Sequence, residues 1–366
     1  MSNVAMQAKA VLASSSDLTH EYLPIAGLED YLTASQRLVL GNESIALQQK
    51  RIVSAQTLSG TGALHLGALF LSRFFPASPA KTVYVSSPPY VNHLPILKHV
   101  SLATGVYAYY SPATKGLDFA GLMESFSRMP DQSIILLHAC AHNPTGVDPS
   151  RDQWKEIARV MKVKRQLPFF DSAYQGFATG DLDNDAWAIR HFVEQGFDTV
   201  MVAQSFAKNF GLYGERAGCL HVIAADADLA SRIGSQLKLL QRVEISTPPA
   251  YGARIVSTIL NDPELYERWK DDLRTMSNRI LNRRGTLRRL LETNGNIGSW
   301  NHVTQQVGMF CYTGLTPRQV ELMREKYHIY MTTNGRISIS GLNTHNTEYV
   351  AEAFRAVIRA EGLSKL

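Results

Sequence analysis

The sequence predicts an α/β protein with a wound, largely parallel sheet and a second, smaller α+β unit. Short apolar runs alternate along the chain with segments whose apolar residues recur at helical spacing. The runs are continuously apolar rather than alternating in polarity, which is typical of strands buried on both faces. With 366 residues, 45% of them hydrophobic, the chain is long enough for two domains and a sizeable core.

Five apolar runs are interpreted as strands, at 82–86, 133–138, 167–171, 199–204 and 218–223. Helical patterns include 62–74, 151–164 and 186–195. A longer helix is predicted to begin after Asp262, a good N-cap, with Pro263 at its first position, and to continue towards Leu290. We expect this helix to bridge two domains with a boundary near Thr275, so that 1–275 forms the large domain and 276–366 the small one.

Charge and cysteine content argue against several classes of protein. The net charge is +5, and no nucleic-acid-binding motif accompanies it. We interpret the one basic patch as a solvated helix face; it consists of Arg279, Arg283, Arg284, Arg288 and Arg289. No apolar run is long enough to cross a membrane. The cysteines lack metal-binding spacing, so we expect no metal site and buried, reduced thiols at Cys140, Cys219 and Cys311.

Two charged residues lie at or just past the carboxyl ends of predicted strands, at the sheet edge where wound α/β proteins bind ligands. Lys208 lies in the loop just past 199–204, and Asp171 ends the run 167–171. A buried carboxylate needs a partner, and a protonated pyridine nitrogen is one. Taken alone, the lysine is more often a surface residue and the aspartate is as often a helix N-cap.

Three further polar residues lie in segments that could contribute to such a site. Tyr174 follows Asp171 by three residues, and its hydroxyl could reach a ring oxygen of the cofactor or pack in the core. Asn143 lies in the HNPTG segment after the run 133–138, which by itself indicates only a turn. Arg336 leads into a predicted strand and could clamp a carboxylate through two parallel hydrogen bonds, although such arginines more often form structural ion pairs.

A phosphate site is predicted where small residues precede the helix at 62–74. The segment is Ser59-Gly60-Thr61-Gly62, whose backbone N–H groups and hydroxyls suit a phosphate. Ser205 and Arg216 could complete it. Tyr90 follows the run 82–86 and could stack on a pyridine ring, worth roughly 1 kcal/mol beyond the burial of its area, or be an ordinary loop tyrosine.

In this order, these segments resemble the aspartate aminotransferases, which are pyridoxal-phosphate-dependent class I aminotransferases of fold type I. The resemblance covers nearly the whole chain from Glu21, and its most specific segments are AHNPTG at 141–146, FDSAYQGF at 170–177 and SFAKNFGLY at 205–213. It implies a mixed, mostly parallel seven-stranded sheet sandwiched by helices. The family starts well before the Tyr22 motif, so we expect its N-terminal arm, a lid strand and the first part of the small domain to be absent.

The resemblance also implies roles. Lys208 would form the Schiff base with the cofactor and shuttle the proton, Asp171 would face the pyridine nitrogen with His93 and His138 behind it, and Tyr90 would stack on the ring. The implied cofactor-binding residues are Ser59, Gly60, Thr61, Tyr90, Asn143, Asp171, Tyr174, Ser205, Lys208, Arg216 and, from the neighbouring subunit, Tyr22. The implied substrate-binding residues are Arg336 for the α-carboxylate, the neighbour's Arg242 for the side-chain carboxylate, Asn143 and Tyr90.

The implied enzyme is a homodimer with shared sites that interconverts L-aspartate and 2-oxoglutarate with oxaloacetate and L-glutamate by a ping-pong mechanism. Two departures keep an aromatic or dicarboxylic aminotransferase open: Tyr90 stands where the family usually has tryptophan, and Glu244 could compete for the guanidinium of Arg242. A truncated protein that binds the cofactor with little catalysis is the other alternative. We expect a cytoplasmic protein, and an organellar form stays open.

Overall fold

The computed structural model describes residues 3–15, 19–75, 81–293 and 298–363. Its strands are β1 (Ile52–Leu58), β2 (Thr82–Ser87), β3 (Ala103–Ala108), β4 (Tyr110–Ser111), β5 (Gly116–Leu117), β6 (Ile134–His138), β7 (Leu167–Ser172), β8 (Thr199–Ser205), β9 (Ala217–Ala224), β10 (Phe310–Tyr312) and β11 (Arg336–Ser338). Its helices are α1 (Asn3–Ala13), α2 (Glu29–Leu40), α3 (Ile45–Gln48), α4 (Ser59–Phe74), α5 (His93–His99), α6 (Phe119–Arg128), α7 (Arg151–Val163), α8 (Leu182–Glu194), α9 (Ala227–Glu244), α10 (Ala250–Asn261), α11 (Pro263–Thr293), α12 (Asn301–Gln305), α13 (Pro317–Tyr327) and α14 (Thr347–Leu363).

The central sheet has seven strands in the order β1-β9-β8-β7-β6-β2-β3. The pairs from β3 to β8 are parallel, whereas β9 is antiparallel to both of its neighbours. The predicted mixed, mostly parallel sheet of a fold type I protein is therefore confirmed. All five predicted strands belong to it, with ends shifted by at most one residue.

Helices cover both faces of this sheet, which explains the continuously apolar strands. On β7, Phe169 packs in the cluster beneath α4 and α9, while its neighbour Phe170 packs in the opposite cluster with Trp154 of α7 and Phe192 of α8. Successive side chains of a strand point to opposite faces, so a strand buried on both faces must be apolar at every position. In the described part of the chain, no helix combines the length and apolar composition that a bilayer span requires.

The long helix α11 begins where the sequence predicted. The Asp262 carboxylate accepts hydrogen bonds from the backbone N–H groups of Glu264 and Leu265, at 2.9 and 3.0 Å. The helix continues three residues beyond Leu290, and the division into domains near Thr275 stays a prediction. The prediction of buried thiols is confirmed, because all three cysteines are free and buried.

The interpretation of the basic patch as a solvated face is wrong at Arg284, which is only 1% exposed. Arg279 and Arg289 are exposed, as expected of a solvated face. Arg284 differs because it lies four residues after Ile280 and three before Leu287, both buried, and so falls on the apolar stripe of α11. The spacing along the helix, rather than the local density of charge, indicates its burial.

Candidate active site

The polar residues singled out by the sequence gather at the carboxyl ends of three neighbouring parallel strands. Asp171 lies near the end of β7, Lys208 follows β8, and Asn143 follows β6. Because parallel strands end at the same edge of a sheet, these separate segments meet. The Asn143–Pro144 peptide bond in the turn after β6 is cis.

Asp171 forms the floor of the site. Its carboxylate is buried, and its Oδ2 lies 3.0 Å from Nε2 of His93, whose ring centroid is 5.1 Å from that of His138. Burial by itself raises the pKa of Asp171, but the hydrogen bond from His93 and the nearby imidazoles and Lys208 amine outweigh it and hold the pKa below its ordinary value. Burial lowers the pKa of His138 to about 3, so this imidazole stays neutral.

These three side chains also have the spacing of a metal site, because their ligating atoms lie within 4.8 Å of one another. Two of the three atoms already form the hydrogen bond between His93 and Asp171. We therefore assign the group to the support of an ionised Asp171. An ionised carboxylate at this place fits the protonated nitrogen of a pyridine ring.

Lys208 is half-buried beside this floor, with its Nζ 5.0 Å from the ring centroid of Tyr174. Burial lowers the pKa of Lys208, Asp171 raises it, and Arg216 lowers it again, with a net decrease. A lower pKa gives a larger share of neutral amine at neutral pH. The lysine is thus better suited to attack a carbonyl or to accept a proton.

Asn143 connects the ring-oxygen side of the site to the predicted carboxylate clamp. Its Nδ2 donates to the hydroxyl of Tyr174 at 3.3 Å, and its Oδ1 accepts from Nη1 of Arg336 at 2.8 Å. The ring of Phe310 lies 4.5 Å from the Arg336 guanidinium. Burial raises the pKa of Tyr174, with smaller contributions from Asp171 and Tyr90, so the hydroxyl stays protonated and can donate.

The predicted phosphate residues lie in the first turn of α4, which begins at Ser59 and thus three residues earlier than predicted. Oγ of Ser59 and Oγ of Ser205 are 3.0 Å apart, and the Ser59 N–H donates to the carbonyl of Arg216 at 2.9 Å. A Cβ at Gly60 would lie 3.0 Å from Cβ of Ser205, so the missing side chain keeps this cradle open. Thr61 is exposed in the same turn. A 16-residue helix presents its positive dipole end here, which fits a phosphate.

Tyr90 lies at the same site, beside the Asp171 floor. Its ring meets the His93 ring edge-on with centroids 5.2 Å apart. Its hydroxyl accepts a hydrogen bond from Nδ2 of Asn92 at 3.0 Å. The side chain is half-buried, which leaves part of the ring open to a ligand.

Tyr22 and Arg242 are not brought to these residues. Tyr22 is 87% exposed, and the exposed Arg242 donates to Oγ of Ser246 at 2.7 Å. In the described residues neither forms a hydrogen bond or ion pair with Lys208 or Asn143. Both were assigned to a neighbouring subunit, and one chain alone leaves them at its surface.

In this structure the Glu244 carboxylate does not compete for the Arg242 guanidinium, so that expectation is wrong. The Glu244 carboxylate instead lies 3.0 Å from Nε2 of His65 on α4. Residues two positions apart on a helix point to different sides, so the end of α9 directs the two charges apart.

Sequence reasoning missed three residues that support the site. Asp148 accepts hydrogen bonds from the backbone N–H groups of Ala141 and His142, at 2.6 and 2.9 Å, and so fixes the approach to Asn143. An aspartate within a Gly-Val-Asp-Pro turn was a signal for this. Phe310, in a short apolar segment, gave no signal, whereas Arg284 was signalled by its place on the apolar stripe of α11.

Comparison with known proteins gives the same family. Residues 1–354 match the family aminotransferase class I and II. The mitochondrial aspartate aminotransferase of Gallus gallus is 50% identical over 98% of this chain and 84% of that protein. An aspartate aminotransferase from the cytoplasm of Saccharomyces cerevisiae has a TM-score of 0.95 and 45% identity, covering 98% of this chain and 87% of that one. An aromatic amino acid aminotransferase of Burkholderia cenocepacia has a TM-score of 0.93 and 40% identity, covering 98% and 88%.

The site has the features that the family's cofactor requires. The ionised Asp171 suits the pyridine nitrogen, Asn143 and Tyr174 offer donors for a ring oxygen, Lys208 offers an amine of lowered pKa, and the start of α4 suits the phosphate. The predictions of an aminotransferase and of its cofactor are confirmed. The chain belongs to the pyridoxal-phosphate-dependent aminotransferase class I and II family.

Proposed function

We propose that the protein interconverts L-aspartate and 2-oxoglutarate with oxaloacetate and L-glutamate. The observation that carries this proposal is the position of Arg336, whose guanidinium is held at 2.8 Å by Asn143, a residue that also bonds Tyr174. A guanidinium there can receive the α-carboxylate of an amino acid through two parallel hydrogen bonds. The names of the 50% and 45% identical relatives support aspartate as the amino acid.

When bound, pyridoxal phosphate supplies an electron-withdrawing ring that stabilises negative charge at the substrate α-carbon. The Asp171 carboxylate holds the proton on the ring nitrogen, and His93 keeps that carboxylate in place. The Tyr174 hydroxyl and the Asn143 amide donate to the ring oxygen. Nζ of Lys208 would hold the cofactor, and this amine would take up and return the proton of the substrate α-carbon.

The other proposed cofactor-binding residues would keep pyridoxal phosphate bound at the site. Ser59 and Thr61 would present their hydroxyls, and Gly60 and Thr61 their backbone N–H groups, to the phosphate at the start of α4. Ser205 and Arg216 would complete the site. Tyr90 covers the ring face. Stacking and phosphate binding would restrict movement of the cofactor relative to Lys208.

The active form that we propose is a homodimer with shared sites. Arg242 of the partner subunit would receive the side-chain carboxylate of the substrate, and Tyr22 of the partner subunit would contact the phosphate. The exposure of both side chains supports this arrangement, because neither is used within its own chain's site. An assembly with two-fold symmetry gives both subunits the same pair of contacts.

A second candidate is an aminotransferase with a preference for aromatic amino acids. Tyr90 favours it, since tyrosine stands where tryptophan is usual, as does the 40% identity to the Burkholderia aromatic enzyme. Steady-state turnover of aspartate compared with that of phenylalanine and tyrosine separates the two. Faster turnover of the aromatic substrates would overturn the aspartate proposal.

The half-reaction with aspartate tests the proposed function directly. The purified enzyme with bound pyridoxal phosphate is mixed with L-aspartate in the absence of any oxo acid, and the cofactor absorbance is recorded. We expect the cofactor band to convert to that of the pyridoxamine form and to return on addition of 2-oxoglutarate. A band that aspartate leaves unchanged would contradict the proposal.

Two further parts of the proposal concern organisation and location. We propose that 1–275 and 276–366 are the large and small domains, because the bridging helix α11 runs through the boundary.

We also propose a cytoplasmic location. The relatives compared above include a mitochondrial and a cytoplasmic enzyme, so fractionation of cells that express the tagged protein is the test.

A further inference from the structure

Arg284 is a buried cation that binds backbone carbonyls instead of a carboxylate. It is 1% exposed, and in the described part of the chain no acidic side chain forms an ion pair with it. Its guanidinium donates to four carbonyl oxygens on one segment, those of Val303, Val307, Gly308 and Phe310. The distances to the Val303 and Gly308 oxygens are 2.8 and 2.9 Å. A leucine would fill this place on the apolar stripe without burying a charge, so the guanidinium has a role that packing alone does not explain.

The segment that Arg284 holds packs against the turn that carries Asn143. The Val307 N–H donates to the carbonyl of Gly146 at 2.7 Å. A Cβ at Gly146 would lie 2.9 Å from the carbonyl oxygens of both Val307 and Phe310, which are two of the oxygens that Arg284 binds. The position of the turn is therefore coupled to the position of these carbonyls.

The same segment leads directly to Arg336. Phe310 begins β10, which pairs with β11, and Tyr312 lies opposite Arg336 in that ladder. The Phe310 ring lies 4.5 Å from the Arg336 guanidinium, and Asn143 binds the guanidinium at 2.8 Å. Arg284 thus holds the backbone of Phe310, which contacts Arg336, and supports the turn that carries Asn143, which also contacts Arg336.

We propose that Arg284 is a positioning residue for recognition of the substrate α-carboxylate. This inference rests on the proposed role of Arg336. By fixing the segment 303–310, Arg284 keeps Phe310 and Asn143 in contact with the Arg336 guanidinium. The clamp is then ordered before the substrate arrives, and little of the binding free energy is spent on ordering it. Without Arg284 the segment relaxes, and the clamp is no longer held ready to bind the α-carboxylate.

The test compares three purified holoenzyme variants: Arg284→Met, Arg284→Lys and the control Arg288→Met. Arg288 lies one turn later on α11 and donates to Thr304 and Asn301, so it contacts the start of the segment but none of the carbonyls near Asn143. We expect Arg284→Met to raise KM for the amino acid about tenfold while kcat stays within about twofold, because a misplaced clamp mainly weakens binding. Arg284→Lys keeps the charge but loses the planar fork, so its KM should rise as well. Arg288→Met should leave KM unchanged.

A binding measurement accompanies the kinetics. Succinate has two carboxylates but no amino or oxo group, so the enzyme cannot transaminate it. Its affinity for the holoenzyme, measured by calorimetry, therefore reports how well the Arg336 clamp binds a carboxylate. We expect Arg284→Met and Arg284→Lys to weaken succinate binding by about the same factor as KM, roughly tenfold. The control should bind as the unmodified enzyme does.

Arg336→Met separates failure of this inference from failure of the proposed function. If Arg336→Met leaves KM and succinate affinity unchanged, the assigned role of Arg336 is wrong, and the inference falls with it. If Arg336→Met weakens binding while both Arg284 variants bind normally, only the inference is overturned. If Arg284→Met does not fold, Arg284→Lys decides on the same two measurements.

Discussion

Two groups of predicted site residues differ in what one chain provides: the group around Asp171, here together called the floor, and the exposed pair Tyr22 and Arg242, here called the distal edge. On the floor, Asp171, His93 and Lys208 are buried or half-buried, and their contacts come from the chain itself. At the distal edge, Tyr22 and Arg242 are exposed and contact nothing on the floor in the described residues. The floor is organised within one chain, whereas in the proposed homodimer the distal edge would be completed by a second subunit.

The two groups of residues would therefore have different chemical roles. In the proposed function, the internal residues would hold the cofactor and move protons, and every amino-acid substrate would need both. The external residues would distinguish a dicarboxylate from other amino acids. Changes on the floor should therefore affect all substrates through kcat, and changes at the distal edge should affect dicarboxylates through KM.

The largest effect is expected for Lys208→Ala. We expect transamination to fall by at least about 10⁴-fold, since both the covalent anchor and the proton carrier are removed. Pyridoxal phosphate should still bind through Asp171 and the first turn of α4, as dialysis would measure. Turnover close to that of the unmodified enzyme would overturn the assignment of Lys208.

A smaller loss is expected for Asp171→Asn. Removing one partner of a buried charge pair costs about 3–5 kcal/mol, which corresponds to roughly 10²–10⁴-fold in kcat for aspartate and aromatic substrates alike. The control is Asp152→Asn, on the exposed surface of α7. Equal rates for the two variants would show that Asp171 does not act on the cofactor.

The phosphate end of the floor can be disturbed through packing. A Cβ at Gly218 on β9 would lie 2.4 Å from the backbone carbon of Ser59, so Gly218→Ala must shift the first turn of α4. We expect the affinity for pyridoxal phosphate, measured by equilibrium dialysis, to fall about tenfold. Gly285→Ala on α11 is the control, because a Cβ there meets nothing within 4 Å. Unchanged affinity in Gly218→Ala would place the phosphate elsewhere.

The smallest effect concerns stability in acid, which should depend on the buried residues and not on the exposed ones. Burial lowers the pKa of His138 and of His221 to about 3, from an ordinary value of 6.5. The unfolded chain binds these protons below pH 6.5 and the folded chain does not, so stability is lost as the pH falls from 6.5 towards 3. Each histidine contributes a slope of about 1.4 kcal/mol per pH unit in this range.

Denaturant unfolding at pH 7 and pH 5.5 measures this slope. His221 lies in the sheet between Oγ of Ser54 and Oε1 of Gln204, at 2.7 and 2.9 Å. His221→Gln should reduce the loss of stability between the two pH values, whereas the exposed His345→Gln should not. An unchanged slope in His221→Gln would mean that this histidine is charged in the folded protein.

The strands that carry the floor could be predicted from the sequence for a physical reason, whereas the assignment of Tyr22 and Arg242 to a partner subunit stays a prediction. Strands buried on both faces carry continuous apolar runs, so β6, β7 and β8 and the residues at their ends were found. The strands β1 and β3 were not individually found, because polar residues interrupt the first and the second lies at the sheet edge. The roles at the site came from the resemblance to a family rather than from spacing.

The supporting contacts could not be read from local patterns. Arg284 holds carbonyls 19 to 26 residues away, and Phe310 contacts Arg336 through the pairing of two short strands. Such contacts depend on tertiary packing. Glu244 shows the converse: its expected partner Arg242 is close in the sequence, but helix geometry directs the carboxylate to His65 instead.

Co-expression of two impaired variants, Arg242→Ala and Lys208→Ala, tests most directly whether the distal edge comes from a second subunit. Arg242→Ala alone should lose about 10–10²-fold in kcat/KM for aspartate, and Lys208→Ala alone should be inactive. In a mixed dimer with shared sites, one site combines Lys208 of one subunit with Arg242 of the other and is complete. Co-expression with random pairing makes half of the dimers mixed, so we predict about a quarter of the unmodified activity towards aspartate. Activity no higher than that of the separate variants would show that Arg242 serves its own subunit or no site at all.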